Sequence, residues 1–545
     1  MRNLILSLAF VGLLLSGCVS RVTPAVRPTQ EQPPLPSAAA LPTAQPQPSA
    51  MAAGPTTMPT AQPGPTALPA PLTGAPPPDE TAGALDPQAI AAATLRPAAP
   101  AWLVPAGPEL ADMTRYRLDV TLAPDLSTLT GREEIRYTNR EAVALDVVYL
   151  HLFPNLWDGG LQTTDVRVNG QPVAVTLPSG DDILGLPLAT PLPPGETVEL
   201  GLRFGIAIPA GEGVGNYGEF AHQEGILALA HFYPTVAVYD AQGWRIETPS
   251  PQGDVIYADA SLYQVTFTAP ADLIVVASGT TLDHAAAGEG AATWQLVGGP
   301  IRDFNIAASA DYRTATRQVG DVTVNHYYLA ADAAQGQAVL DWTVAALRTC
   351  ESAHGAYPYR ELDVVETATS AGGIEYPGMV VVASWLYRDA DQRNFFESAT
   401  AHEVSHQWWY NVVGNDQLNA PWLDEALAQY STYLYYLDAY GRSGGKGFLA
   451  AMEARWARVD HAKKPIGLPV GEYVNREYGA IVYGRGPLFL VALRDQIGAE
   501  VMAEFLRQYY RDYAWGIATP EEFQSLAEAV SGQDLDALFE EWVYP

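Results

Sequence analysis

Two short words of sequence constrain this chain more than anything else in it: His402-Glu403-Val404-Ser405-His406 and Trp422-Leu423-Asp424-Glu425, with eighteen residues between His406 and Glu425. Imidazoles four residues apart project from one face of a helix on successive turns. A run containing Gly414, Asn415, Asn419 and Pro421 follows, and then a second helical period, Leu427, Tyr430, Leu434 and Leu437. A helix, a loop and a returning helix can bring the Glu425 carboxylate beside the two rings. Two histidines, one carboxylate and one open position make the donor set of a catalytic zinc site, whereas structural zinc is normally closed by four ligands. The expected metal set is therefore His402, His406 and Glu425, holding one Zn(2+) per chain. Glu403 points off the ligand face towards the open position. A carboxylate there can take a proton from water whose pKa the metal lowers to about 7, which makes Glu403 the candidate general base.

The spacing, with its glutamate set in W-L-x-E, resembles the aminopeptidase N family of zinc metallopeptidases, the gluzincin aminopeptidases. Two further stretches extend the resemblance. In Gly372-Gly373-Ile374-Glu375-Tyr376 the paired glycines allow close backbone approach. The β-branched run after them, Val380-Val381-Val382, reads as an edge strand to which an extended peptide can add. The family carries G-x-M-E-N here, and its glutamate grips the substrate's free α-amino group. The resemblance thus implies substrate-binding roles for Gly372, Gly373 and Glu375, with Tyr376 where the family has asparagine. Tyr483-Gly484-Arg485-Gly486 is similar to the family's Y-x-K-G, with Arg485 in place of lysine. That match implies that the Tyr483 hydroxyl stabilises the oxyanion of a tetrahedral intermediate, where a donor opposite the metal lowers the barrier.

From Tyr116 to about Tyr328 the pattern is one of short alternating strands, such as Tyr116–Leu122 and Tyr263–Phe267. Asn169-Gly170 joins two of them as a hairpin turn. After Tyr328 the period becomes helical, beginning with Gln337–His354. The expected fold is multidomain: an all-β saddle or sandwich over residues 109–328, followed by a mainly α, thermolysin-like (α+β) peptidase domain over 329–545. Family members with a large C-terminal helical roof run some hundreds of residues further, so a more open cleft is expected here.

At the N-terminus a positive start and an apolar run, Leu4–Leu15, lead into Leu15-Ser16-Gly17-Cys18. The run is too short to span a bilayer, and the tetrapeptide resembles a bacterial lipoprotein signal. Residues 1–17 are expected to be removed and Cys18 to carry lipid, tethering the protein to a membrane in the cell envelope, outside the cytoplasm. Residues 18–108, rich in Pro, Ala and Thr, are expected to form a disordered tether. With Cys18 lipidated only Cys350 remains, so no internal disulfide is expected, and Cys350 reads as a small buried hydrophobe. His151, His222 and His231 read as ordinary sheet or loop histidines. A formal charge of -31 excludes nucleic acid as a partner. The expected activity is zinc-dependent removal of N-terminal residues from peptides with a free N-terminus. The alternatives are a zinc endopeptidase with an open cleft and a non-catalytic peptide-binding lipoprotein on the same scaffold.

Overall fold

The computed structural model describes residues 84–157, 159–211 and 216–545. Residues 1–17, expected to be a signal segment, and Cys18 lie outside the described residues.

Alternation of burial along the first strands builds the N-terminal domain. Arg115–Leu122 buries Tyr116, Leu118, Val120 and Leu122 while the residues between them face outward. It pairs antiparallel with Thr128–Thr138 and parallel with Ser261–Pro270, near the middle of an eight-stranded sheet. Smaller sheets of three and four strands complete an all-β body. The Asn169-Gly170 turn is present, with φ of 48° and 75°, the left-handed pair that a two-residue hairpin requires. Only Gln171–Pro172 pairs beyond it.

Two expected boundaries move. Residues 84–108 were assigned to the tether, yet Pro87–Thr94 is a helix capped by Asp86, whose Oδ1 accepts from the Gln88 amide at 2.8 Å. Ile90, Ala91, Leu95 and Leu103 are buried, Arg96 pairs with Asp321 and Glu351, and the Leu103 carbonyl accepts from Trp515 Nε1 at 2.9 Å. A few apolar residues are enough to order a segment that inserts into a core already formed by the rest of the chain. Composition averaged over a window hides them.

The second shift concerns residue 328. Tyr312–Val319 and Val322–Leu329, counted with the β domain on alternation, belong instead to a five-stranded sheet with Glu361–Thr367, Met379–Ala383 and Gly373–Ile374. That sheet is the floor of the C-terminal half. Within it Met379–Ala383, expected at the edge, is interior, and the two-residue strand Gly373–Ile374 is the edge. The run is buried throughout because it is covered on both faces. Against the sheet pack the helices Ala333–His354 and Arg393–Ser405, and on these helices lie Trp422–Trp456 and Ala499–Asp512, with Gly486–Ile497 against both of the latter. The tail forms two short helices, Pro520–Ser531 and Asp536–Trp542, the first with its proline at the start and a Thr519/Glu522 capping box.

Arg302, fully buried, ties the two halves together. Its guanidinium donates to the carbonyls of Ala258, Tyr410, Val412 and Gly516, one from the β domain and three from the C-terminal half. A Cβ on Gly414 would lie 2.2 Å from its Cζ, so that glycine is required by close approach.

Candidate active site

The helix Arg393–Ser405 buries Phe396, Ala399, Ala401 and Val404 and ends at His406, whose amide bonds the His402 carbonyl at 3.3 Å. The chain then turns sharply through Trp408–Val413. Asn411 Nδ2 bridges the His406 carbonyl at 3.2 Å and the Glu375 carbonyl at 2.9 Å, so the helix end and the edge-strand loop are held together. Gln407 does the same from the other side, donating to the Tyr376 carbonyl at 3.0 Å and accepting from the Gly378 amide at 2.8 Å.

The long helix opens at Trp422, which puts Asp424 and Glu425 in its first turn, where the helix dipole favours negative charge. Glu425 thereby reaches the histidines: its Oε2 is 3.1 Å from His402 Nε2 and 3.5 Å from His406 Nε2. The two Nε2 atoms lie 3.1 Å apart. His406 Nδ1 is 3.0 Å from the Trp409 carbonyl, so it carries the proton and leaves Nε2 as a lone pair in the neutral ring. A ring nitrogen facing a second ring nitrogen and a carboxylate across some 3 Å suits a shared cation, and the donor set His, His, Glu is one that zinc takes. Burial would raise the Glu425 pKa, but the imidazoles of His402 and His406 beside it outweigh burial and hold the carboxyl well below the usual range.

Glu403 is buried, and one of its carboxylate oxygens lies within 4.8 Å of a ring nitrogen of both His402 and His406. It packs flat against Gly373: a Cβ there would sit 2.4 Å from Glu403 Cγ and 2.5 Å from its Oε1. This glycine's φ is ordinary, so the reason for it is space. At Gly372 a Cβ would meet the Phe395 ring at 2.9 Å.

Glu375, 5 % exposed, lies with His406 and Asp424 in a group whose oxygen and nitrogen atoms are all within 4.8 Å of one another. Gln417 Nε2 donates to both acids, at 2.9 Å to Glu375 and 2.7 Å to Asp424. Burial, more than neighbouring charge, pushes the Glu375 carboxyl up from its ordinary value and that of Asp424 up to about 8. Tyr376, in the asparagine position of the motif, turns away and donates its hydroxyl to Glu219 of the β domain at 2.9 Å. Glu219 is itself pushed up to about 8 by burial. No arginine or lysine contacts these acids among the described residues.

Tyr483 sits in one wide, π-type helical turn, Ile481–Arg485, a local widening that re-aims a side chain. Its hydroxyl donates to Glu425 Oε1. Gly486 permits this approach, since a Cβ there would lie 2.8 Å from Ala426 Cβ on the long helix. Arg485 points elsewhere, donating to the carbonyls of Lys464, Glu541 and Trp542 and stacking 4.5 Å over the Trp542 ring. It pins the last helix.

The residues expected to bind metal, act in catalysis or bind substrate thus meet in one place: His402, Glu403, His406, Glu425, Glu375, Gly373 and Tyr483, with Gly372 beside them. Gln417, Asn411, Asp424 and Glu219 also belong to it and carried no sequence signal, except that Asp424 adjoins Glu425. Cys350 is buried, 3.6 Å from Ser405 Oγ, its thiol pushed up to about 12 by burial. His151 bonds the Arg245 carbonyl at 3.0 Å, and His231 is buried among Phe153, Trp157 and Tyr376. Neither they nor His222 joins a metal-holding group among the described residues.

Residues 339–542 match the Peptidase family M1 domain. Over 469 residues the chain is 25% identical to Aminopeptidase M1 of Arabidopsis thaliana, covering 80% of this chain and 50% of that one. It is 23% identical over 195 residues to Tricorn protease-interacting factor F2 of Thermoplasma volcanium, covering 35% and 22%. The chain spans about half the length of the first of these relatives. Among solved structures it superposes on an M1 zinc metallopeptidase from Deinococcus radiodurans with a TM-score of 0.62 at 22% identity, covering 80% of this chain and 93% of that one. A variant of that protein with a Tyr-Ser-Ala substrate bound superposes with a TM-score of 0.60 at 21% identity, covering 80% and 94%. At these identities the likeness to the solved structures is one of fold.

Proposed function

We propose, from the match of residues 339–542 to the Peptidase family M1 domain, that the protein is a zinc-dependent aminopeptidase, hydrolysing the first peptide bond of substrates with a free N-terminus. The observation that carries the reading is the convergence of His402, His406 and Glu425 beside Glu403, with the buried Glu375 carboxylate on the neighbouring edge-strand loop. His402, His406 and Glu425 would hold a zinc ion, which would supply an acidified water and a Lewis acid for the scissile carbonyl.

The remaining steps belong to the chain's own side chains. Glu375 receives the α-ammonium of the substrate, and Gln417 and Asn411 hold that carboxylate and its backbone in place. The edge strand Gly373–Ile374 offers main-chain groups to an extended peptide. Glu403, set against Gly373, takes the water's proton and passes it to the leaving amine. Tyr483 turns its hydroxyl from Glu425 to the developing oxyanion. An amine anchor so close to the reacting centre measures one residue from the N-terminus, and this favours exopeptidase over endopeptidase cleavage.

The sequence Leu15-Ser16-Gly17-Cys18 supports an envelope lipoprotein attached through Cys18. Labelled fatty acid should appear in the expressed full chain and disappear in Cys18→Ala.

The test of the catalytic reading compares aminoacyl chromogenic amides and short peptides with free and N-acetylated termini. Turnover abolished by chelation, restored by zinc and stopped by acetylation is expected. Equal cleavage of the acetylated peptides would overturn the aminopeptidase assignment.

A further inference from the structure

The acids around the amine anchor have a counterpart of opposite charge on the other side of the metal set. The long helix breaks at Gly441, where φ is 64°, and its second half returns towards the site. Its last turn carries Arg455, whose guanidinium carbon lies 5.2 Å from the centre of the Tyr483 ring. Gly484 makes this possible: a Cβ there would sit 3.0 Å from the Trp456 amide nitrogen and 3.3 Å from Arg455 Cβ. Arg458 follows one turn later, and Arg476 stands at the start of Glu477–Ala480, which packs on that turn.

In a chain with 61 acidic residues against 30 basic ones, arginines find carboxylates easily. Arg96, Arg245 and Arg388 each pair with two or more. Arg455, Arg458 and Arg476 have no ion pair and no side-chain hydrogen bond among the described residues. Burial first, and then repulsion from Arg458, lowers the pKa of half-buried Arg455, and Arg476 acts in the same sense on the exposed Arg458, a grouping of like charge that a bound anion would offset. The Tyr483 ring beneath Arg455 lies 5.9 Å from the His402 ring, whereas Glu375 and Asp424 group with His406, so the guanidinium lies towards one histidine and the acids towards the other.

We propose that Arg455, with Arg458 and Arg476, receives a substrate carboxylate one or two residues beyond the scissile bond, so that the preferred substrates are di- and tripeptides with a free C-terminus. The proposal rests on the aminopeptidase reading and adds a substrate class to it. The spacing fits, because an extended residue spans about 3.5 Å, and a guanidinium over the Tyr483 ring lies within two such lengths of the phenolic oxygen. A zwitterionic peptide then lies with its ammonium at Glu375 and its carboxylate at Arg455, matching the polarity of the cleft. Guanidinium suits this task, since its planar fork accepts a carboxylate through two parallel hydrogen bonds.

The test measures kcat/KM for a dipeptide and a tripeptide with the C-terminus free or amidated, and for an amidated tripeptide with aspartate at its second position. An aminoacyl chromogenic amide, which has no carboxylate, reports on the peptidase reading alone in the wild-type protein. For wild type, the free terminus should be favoured over the amide by about tenfold or more, chiefly through KM. In Arg455→Gln, and in the exposed double variant Arg458→Ala/Arg476→Ala, that ratio should fall towards one. Recovery of rate by the aspartate peptide would support the same site and extend its ligand to side-chain carboxylates. A wild-type ratio near one while the chromogenic amide is turned over would overturn the carboxylate site without touching the peptidase reading. An equal loss on free and amidated peptides in Arg455→Gln would also overturn it, because the arginine would then act through Tyr483.

Discussion

Glu403 and Tyr483 are the two residues on which the proposed chemistry turns, and the surroundings of each say what a substitution should do. Glu403 holds no metal and makes no hydrogen bond that Gln would forfeit among the described residues. Glu403→Gln keeps its volume against Gly373, so the fold and the zinc content should be retained. What is lost is the proton acceptor, and kcat should fall by about 10²–10⁴. Zinc measured by atomic absorption beside turnover of an aminoacyl amide checks both halves of the statement. A zinc-replete variant with an unchanged rate would remove Glu403 from the mechanism. Tyr483→Phe removes one donor and leaves the ring under Arg455 and beside His402. The expected loss is about 10²–10³ in kcat with KM little changed, since the donor acts on the oxyanion and not on the bound peptide. These residues were legible in the sequence because their spacing is local or carried by a motif. Gln417, Asn411 and Glu219 were not. They meet Glu375 and Tyr376 from 42, 36 and 157 residues away, and nothing periodic marks such a partner.

Among the elements, the five-stranded sheet under the site holds a group whose titration can be followed far from the metal. Asp363 in Glu361–Thr367 is 5 % exposed and accepts from Asn325 Nδ2 at 2.9 Å, and burial pushes its carboxyl up to about 8. The folded state therefore holds this proton more tightly than the unfolded chain, where the pKa is about 4. The contribution to stability is complete below about pH 4 and is lost as pH rises through about 8, on the order of 5 kcal/mol if no relaxation intervenes. Asp363→Asn keeps the acceptor for Asn325 and has no charge to bury. Thermal unfolding should show the variant gaining on wild type between pH 5 and pH 8.5, and parallel curves would refute the assignment. The same sheet shows why the domain boundary was misread. Tyr312–Val319 and Val322–Leu329 alternate like the β-domain strands before them, and alternation reports that one face is buried without saying against which partner. Residues 84–108 erred the other way, because a proline-rich average concealed Ile90, Leu95 and Leu103.

At the scale of the whole molecule, the fold class and the two-part organisation followed from the change of period near residue 330. Charge makes a separate demand. A formal -31 gives a long-range field that attracts cationic peptides and repels anionic ones. That field is screened within about 10 Å at 0.1 M salt, whereas the contact between Arg455 and a bound carboxylate acts at short range and is screened much less. The two effects therefore separate with ionic strength. Raising salt from about 0.02 to 0.5 M should lower kcat/KM several-fold for a lysine-rich peptide and raise it for a glutamate-rich one, with kcat for both nearly constant. The preference for a free over an amidated C-terminus should survive the same change in large part. If instead that preference vanished with salt in step with the lysine and glutamate effects, the carboxylate selectivity would belong to the overall field of the protein, and the arginines at the lip of the cleft would have no local part in it.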